Sequence, residues 1–410
     1  MTELARRLGP GDAVAIGLGS MIGAGAFVVW GPAARAAGSW LLLSLVLAAV
    51  VAACNAWSSA ALAARYPSAG GTYFYGRERL GDFAGYLAGW SFVVGKIASC
   101  AAMAMAIAAY VAPGRERIAA AVAVVVVTVL NISGVQRSAG MSRVIVTIVL
   151  AVLGGVVVAG LAGGEGSVRP ELFADHASAY GVLQGAGLLF FAFAGYARIA
   201  TLAEEVRDPA RTIPRAVAIT VVAVLGVYAV IAVLTLGILG PDRLAGASDP
   251  VALATAAVLG EPWVWAVRAV AALAALGALL NLVLGISRTS LAMARNGYLP
   301  AAIARVDARQ VPRNAELAVG VIVLLLVLVV DLRGAIGFSS FGVLTYYAVA
   351  NASAWTLRGE WRGAPAVPLL GLVGCLVLAW TLPWQSVAGG VLVLAVGIVA
   401  FLLTRRRRVT

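Results

Sequence analysis

The sequence is short of charge: Asp, Glu, Lys and Arg together make up 12% of its 410 residues. It has one histidine, His176, and one lysine, Lys96, against 29 arginines. A soluble domain needs far more charge than this to cover an apolar core, and a mean hydropathy of +0.97 places the chain in the membrane class. Its three cysteines, Cys54, Cys100 and Cys375, lie far apart in apolar stretches, which suggests neither a disulfide framework nor a metal site. His176 sits in the acidic segment around Glu165 and Asp175, with no clustered His, Asp, Glu or Cys to form a catalytic centre. An enzyme is therefore not expected, nor a cofactor. ATP drive is not expected either, because no GxxxxGK[ST] motif occurs.

Long charge-free runs are what the chain has instead. At about 20 apolar residues per membrane-crossing helix, they divide into twelve expected spans: 12–37, 40–64, 83–111, 117–133, 142–163, 181–203, 214–239, 262–294, 314–331, 335–357, 364–382 and 385–404. With both termini in the cytoplasm, and basic residues at the span ends counted with the adjoining segment, 20 of the 30 basic residues fall in inner segments, 6 in outer loops, and Lys96, Arg198, Arg268 and Arg288 within spans. That asymmetry sets the orientation. It also accounts for most of the net charge of +12, so the expected partner is a lipid bilayer, with no nucleic acid. Ala34-Arg35-Ala36 resembles a signal-peptidase site, but the apolar stretch before it is too long and the next span follows at once, so no cleavage is expected. No soluble domain or low-complexity linker interrupts the chain.

Span one contains Gly19-Ser20-Met21-Ile22-Gly23-Ala24-Gly25, and Gly17, Gly19, Gly23 and Gly25 fall within nine residues. Glycine at such spacing also serves close helix packing. Its density here, and a matching interruption in span six at Phe193-Ala194-Gly195-Tyr196, favour unwinding. Hydrocarbon forces backbone groups to bond internally, so an unwound stretch at membrane depth needs another partner, and a substrate is the natural one. The breaks lie five spans apart. Five is odd, so two five-helix units would run oppositely across the bilayer, as inverted repeats do.

Four stretches then resemble bacterial amino acid permeases of the amino acid–polyamine–organocation superfamily. They are Gly19–Phe27, Phe191–Ala216, Ser287–Pro300 and Phe341–Arg358. The run Glu204-Glu205-Val206-Arg207-Asp208-Pro209 followed by Ile213-Pro214-Arg215 is the most specific of these. The resemblance implies an all-α, LeuT-like membrane fold with broken helices 1 and 6. Its first inverted repeat would cover 12–163 and its second 181–357, with two further helices over 364–404.

Unwinding in span one would free the N–H groups of Ile22, Gly23, Ala24 and Gly25 at a positive helix end, which suits a substrate carboxylate. In span six the carbonyls of Phe191, Ala192, Phe193 and Ala194 would end a half-helix, which suits the ammonium group. Glycine, as at Gly195, lets a ligand approach the main chain. The resemblance makes Phe191 an aromatic gate, although Phe in an apolar span also serves packing. Tyr196 is either a second pocket wall or a packing residue.

Lys96 is the sharpest single signal, because a charge at a span centre costs about 2.5–3.5 kcal/mol on insertion scales and normally faces a cavity. Sodium-independent relatives often carry a lysine in span five, which is absent here. An acidic residue that some relatives carry after the span-six break is replaced by Ala197-Arg198. Lys96 thus becomes the candidate for proton coupling. Ion pairing, snorkelling and pairing with an acidic substrate side chain are its other readings. Arg198 is read as structural, pairing with Glu204 or Glu205, while Asn281, Ser287 and Thr147 could complete a site.

The resulting expectation is a secondary amino acid transporter of the cytoplasmic membrane, proton-coupled and sodium-independent. Small neutral amino acids fit best and acidic ones next. An exchanger, or a receptor without transport, is the alternative.

Overall fold

The computed structural model describes residues 8–66, 70–134, 139–161, 178–200, 206–306, 312–357 and 365–409. These are helical almost throughout. The first helices are α1 (Pro10–Met21), α2 (Gly25–Val28), α3 (Trp30–Ala37), α4 (Leu41–Arg65), α5 (Gly71–Leu80) and α6 (Asp82–Val111). They are followed by α7 (Glu116–Ile132), α8 (Ala139–Leu161), α9 (Ala179–Phe193), α10 (Ala197–Ala200), α11 (Pro209–Gly246) and α12 (Pro250–Leu259). The last five are α13 (Val264–Arg295), α14 (Arg313–Val329), α15 (Leu332–Trp355), α16 (Ala366–Thr381) and α17 (Trp384–Val409).

Local chemistry sets several of these boundaries. Pro10 opens α1, with the Asp12 carboxylate accepting the Gly9 N–H at 3.0 Å. Ser178 caps α9 by accepting the Gly181 N–H, and Asp331 caps α15 at Gly334. α2 and α3 run on through helical Val29. α11 turns sharply at Gly240, whose φ of 70° only glycine adopts easily, just before Pro241.

Among the described residues, seven helical stretches are long and apolar enough to cross a membrane. Helices also occupy the other expected spans: α7, α9, α14 and α16 are shorter, and α15 carries Ser, Thr, Tyr and Asn. The outer surface is apolar in the way a lipid-facing surface must be, with Val122, Val222, Leu325 and Leu392 exposed. Trp263, Trp265, Trp380 and Trp384 stand exposed at helix ends, where amphipathic indoles favour the membrane interface. The chain is thus a multi-pass membrane protein. Thr147 lies on an exposed face of α8, so it is not available to complete an internal site.

α6 is the most enclosed of the long helices and packs chiefly against α15 and α13. Its crossing with α15 is close because Gly95 meets Gly342, where an added Cβ would lie 3.1 Å from the opposing Cα. Ser99 and Ser339 share a 2.6 Å hydrogen bond at the same crossing. Near the N-terminal end of α13, Arg268 pairs with Asp249 at 3.3 Å. Burial holds the Asp249 carboxyl above its ordinary pKa, and Arg268 offsets only part of that rise.

A polar knot ties three helices of distant sequence. Ser58 of α4 donates to Asn351 of α15 at 2.6 Å, and Asn351 donates to Asn55 of α4 at 2.6 Å. Cys375 of α16 also donates to Asn55, at 3.3 Å. α16 comes this near because Gly371 has no Cβ, which would lie 2.5 Å from Asn351 Oδ1. Asn351→Ala leaves Ser58 and Asn55 without these partners, and we expect a loss of roughly 1–3 kcal/mol. A detergent-solubilised variant that unfolds at the wild-type temperature would contradict this.

Candidate substrate site

α1 stops at Met21 and the helix resumes at Gly25. The Ile22 N–H still reaches back to the Leu18 carbonyl at 2.7 Å, so it is not among the freed donors and the sequence expectation for it is corrected. The N–H groups of Gly23, Ala24 and Gly25 make no such backbone bond among the described residues. α9 ends at Phe193, the chain turns through Ala194, Gly195 and Tyr196, and α10 begins at Ala197.

The two breaks lie against each other. A Cβ on Gly195 would stand 2.4 Å from the Ser20 carbonyl oxygen, and one on Gly25 would stand 2.7 Å from Ala192 Cα. Only glycine allows either approach. Tyr228 of α11 locks the arrangement, since its buried hydroxyl lies 2.6 Å from the Met21 carbonyl and 3.0 Å from that of Ala192. It thereby supplies a donor to the negative ends of α1 and α9 together. Its ring packs edge-on against Trp30 and Phe193 at 5.9 and 5.1 Å. In the sequence, Tyr228 shows only as a lone aromatic residue in the aliphatic run of span seven. Tyr228→Phe keeps the ring but removes the donor. We expect roughly 1–2 kcal/mol lower stability and a several-fold slower transport rate; wild-type values for both would remove the bridge from consideration.

A cavity of about 260 Å³ opens beside the breaks. Its walls are Ser20 of α1, Gly70 and Tyr73 at the start of α5, Phe92, Lys96, Ser99 and Met103 of α6, and Phe191, Ala194, Gly195 and Arg198 around the second break. α13 contributes Ala278, Asn281, Leu282, Gly285, Arg288, Thr289 and Ala292. Lys96 is 5% exposed and donates to the Ala194 carbonyl at 3.1 Å. Its ammonium therefore caps the end of α9, where the helix dipole is negative. Of the four basic residues expected within spans, Lys96, Arg198 and Arg288 line this cavity, while Arg268 is held by Asp249.

The carbonyls of span six differ in their partners. That of Phe191 accepts the Ala194 N–H at 3.4 Å, that of Ala192 faces Tyr228, and that of Ala194 faces Lys96. Phe193 turns its ring to Tyr228. The residues of the first break do not line the cavity in this conformation. Ile22, Gly23, Ala24 and Gly25 are buried, with Gly23 against Ala278 and Gly25 against Ala192. Tyr196 turns away too. Its ring is buried and stacks on Tyr347 at 5.0 Å, so it is a packing residue here and not a pocket wall. Ser287 donates to the Leu284 carbonyl, whereas Asn281 reaches the cavity. His176, Glu204 and Glu205 lie outside the described residues.

An all-helical membrane protein with two broken helices packed at a cavity is of the carrier class. A family model for amino acid permeases matches residues 8–404, and the chain belongs to that family. It is similar to an uncharacterized transporter of Mycobacterium tuberculosis, with 58% identity over 100% of this chain and 94% of the relative. A branched-chain amino acid permease of Bacillus subtilis is 25% identical over 99% of this chain and 94% of its own length. A vacuolar cationic amino acid transporter of Arabidopsis thaliana is 30% identical over 87% of this chain and 60% of its own. Family and relatives are transporters, not enzymes.

Proposed function

We propose that the protein carries amino acids across the cytoplasmic membrane by alternating access, as a secondary transporter coupled to protons and independent of sodium. The observation that supports this best is the Lys96 ammonium on the Ala194 carbonyl, at the cavity wall and at the end of a broken helix. A cation already recognises the place where the substrate ammonium would bind. Tyr228 and Lys96 together supply donors to the Met21, Ala192 and Ala194 carbonyls, oxygens that a sodium ion would otherwise use, and this favours sodium independence.

In this reading the chain has twelve spans with both termini in the cytoplasm, two inverted repeats over 12–163 and 181–357, and two more helices over 364–404. Gly70, Tyr73 and Arg288 then mark the cytoplasmic mouth of the cavity, and the conformation is inward-facing. The N–H groups of Gly23, Ala24 and Gly25 await the substrate carboxylate in another state, when α1 moves away from Ala278. Phe191 closes over the bound amino acid. The names of the relatives share the amino acid and differ in its side chain, as expected when main-chain groups do the common recognition.

Purified protein in liposomes, given radiolabelled amino acids under separate pH and sodium gradients, tests the proposal. Accumulation under the pH gradient alone is expected. Counterflow without accumulation would identify an exchanger, and neither signal across the common amino acids would sink the transport reading.

A further inference from the structure

We propose that the preferred substrate is an amino acid with an anionic side chain, and that Lys96 is the residue that selects it. The inference rests on the amino acid reading above and specifies the side chain that the main-chain breaks leave open.

The charge of the cavity wall comes from Lys96, Arg198 and Arg288, with no carboxylate among the described lining residues. Lys96 is buried, and no described carboxylate pairs with it; its hydrogen bond goes to the Ala194 carbonyl. An ammonium has three donors, so the group retains capacity for an anion. A buried cation without a counter-charge is costly, and a ligand that supplies one is favoured for that reason.

The position of Lys96 sharpens the argument. A zwitterionic substrate places its own ammonium at the negative end of α9, where Lys96 already sits. Its α-carboxylate is drawn to the other break, toward Gly23, Ala24 and Gly25. A neutral amino acid therefore brings a second positive charge beside Lys96 and no carboxylate beyond the one held at the other break, and a cationic one brings two. Like charges so placed oppose binding. An aspartate or glutamate brings a second carboxylate, which can lie between the Lys96 ammonium and the Arg288 guanidinium. Asn281 and Thr289, also on that wall, add polar groups beside it. The cavity of about 260 Å³ has room for a ligand of this size.

The test is binding to the purified full-length protein, read by thermal shift and calorimetry with aspartate, glutamate, asparagine, glutamine, leucine, alanine and lysine. Wild type should bind aspartate or glutamate about tenfold or more tightly than the matching amide. Lys96→Met should bind aspartate and glutamate no more tightly than their amides, and Lys96→Arg should keep the preference. Arg288→Gln, at the exposed mouth of the cavity, should weaken the preference without unfolding the site. Equal or tighter binding of neutral or cationic amino acids by wild type, or an unchanged preference in Lys96→Met, overturns the inference and leaves the amino acid reading standing. If the protein binds none of the panel, both fall.

Discussion

Replacing Gly195 by alanine is expected to stop transport while leaving the protein folded in the membrane. The added methyl would lie 2.4 Å from the Ser20 carbonyl oxygen and 2.6 Å from its carbonyl carbon. Both atoms belong to the main chain and cannot rotate aside. α1 and the second break must then separate, which carries the Tyr228 bridge and the cavity wall with them. Overpacking of this kind costs about 1–3 kcal/mol, and the cost falls on the surface along which the half-helices are proposed to move. Gly25→Ala meets Ala192 at 2.7 Å and should behave in the same way from the other side. Gly226→Ala on α11 and Gly154→Ala on α8 are the controls, because an added methyl meets nothing within 4 Å at either position. Liposome uptake should fall about tenfold or more for Gly195→Ala and Gly25→Ala and stay at the wild-type level in the controls. Normal uptake by Gly195→Ala would mean that the breaks need not touch.

Much of the helix placement was legible in composition alone, because α6, α11 and α13 follow apolar runs whose ends are marked by charge, Pro or Gly. The breaks were legible through their glycines, and Lys96 because a lone charge in an apolar helix has few places to go. What each group touches was not legible. Tyr196 stands beside a break and invited a pocket role, but it lies in the non-helical turn between α9 and α10, where no helical period applies, and that turn points its ring at Tyr347. The Ile22 donor was counted as free because a sequence cannot show how far the last turn of α1 persists; the turn persists just long enough to reach Leu18. Tyr228 and the Asn55, Asn351 and Cys375 knot left no local pattern. In a membrane helix every face is apolar, so periodicity cannot tell an inward hydroxyl from one at a lipid-facing edge.

Tyr228 and Lys96 perform related tasks at one place. The hydroxyl serves the ends of α1 and α9, and the ammonium serves the turn one step further on. The hydroxyl is fixed by packing against Trp30 and Phe193, whereas the ammonium borders open space. The first therefore suits a hinge that keeps its form, and the second a contact that substrate can replace.

Lys96→Ala is accordingly expected to abolish accumulation driven by a pH gradient while sparing substrate exchange. A cation at a helix C-terminus contributes about 0.3–1 kcal/mol, and up to ~2 kcal/mol where partly buried, so protonated Lys96 ties α6 to the end of α9 more firmly than the neutral amine does. A substrate ammonium arriving at Ala194 competes for that tie, which couples the charge of Lys96 to loading of the site. Among the described residues, the other titratable groups nearby are Cys100, one turn along α6, and Tyr73, Arg198 and Arg288 on the cavity wall. None of these is a carboxylate, and arginine does not release its proton in proteins. With Lys96 gone, the imposed pH gradient should no longer drive uptake, and counterflow should persist with altered side-chain preference. Wild-type accumulation with unchanged pH dependence in Lys96→Ala would assign the proton to another group and reduce Lys96 to a structural cap on α9.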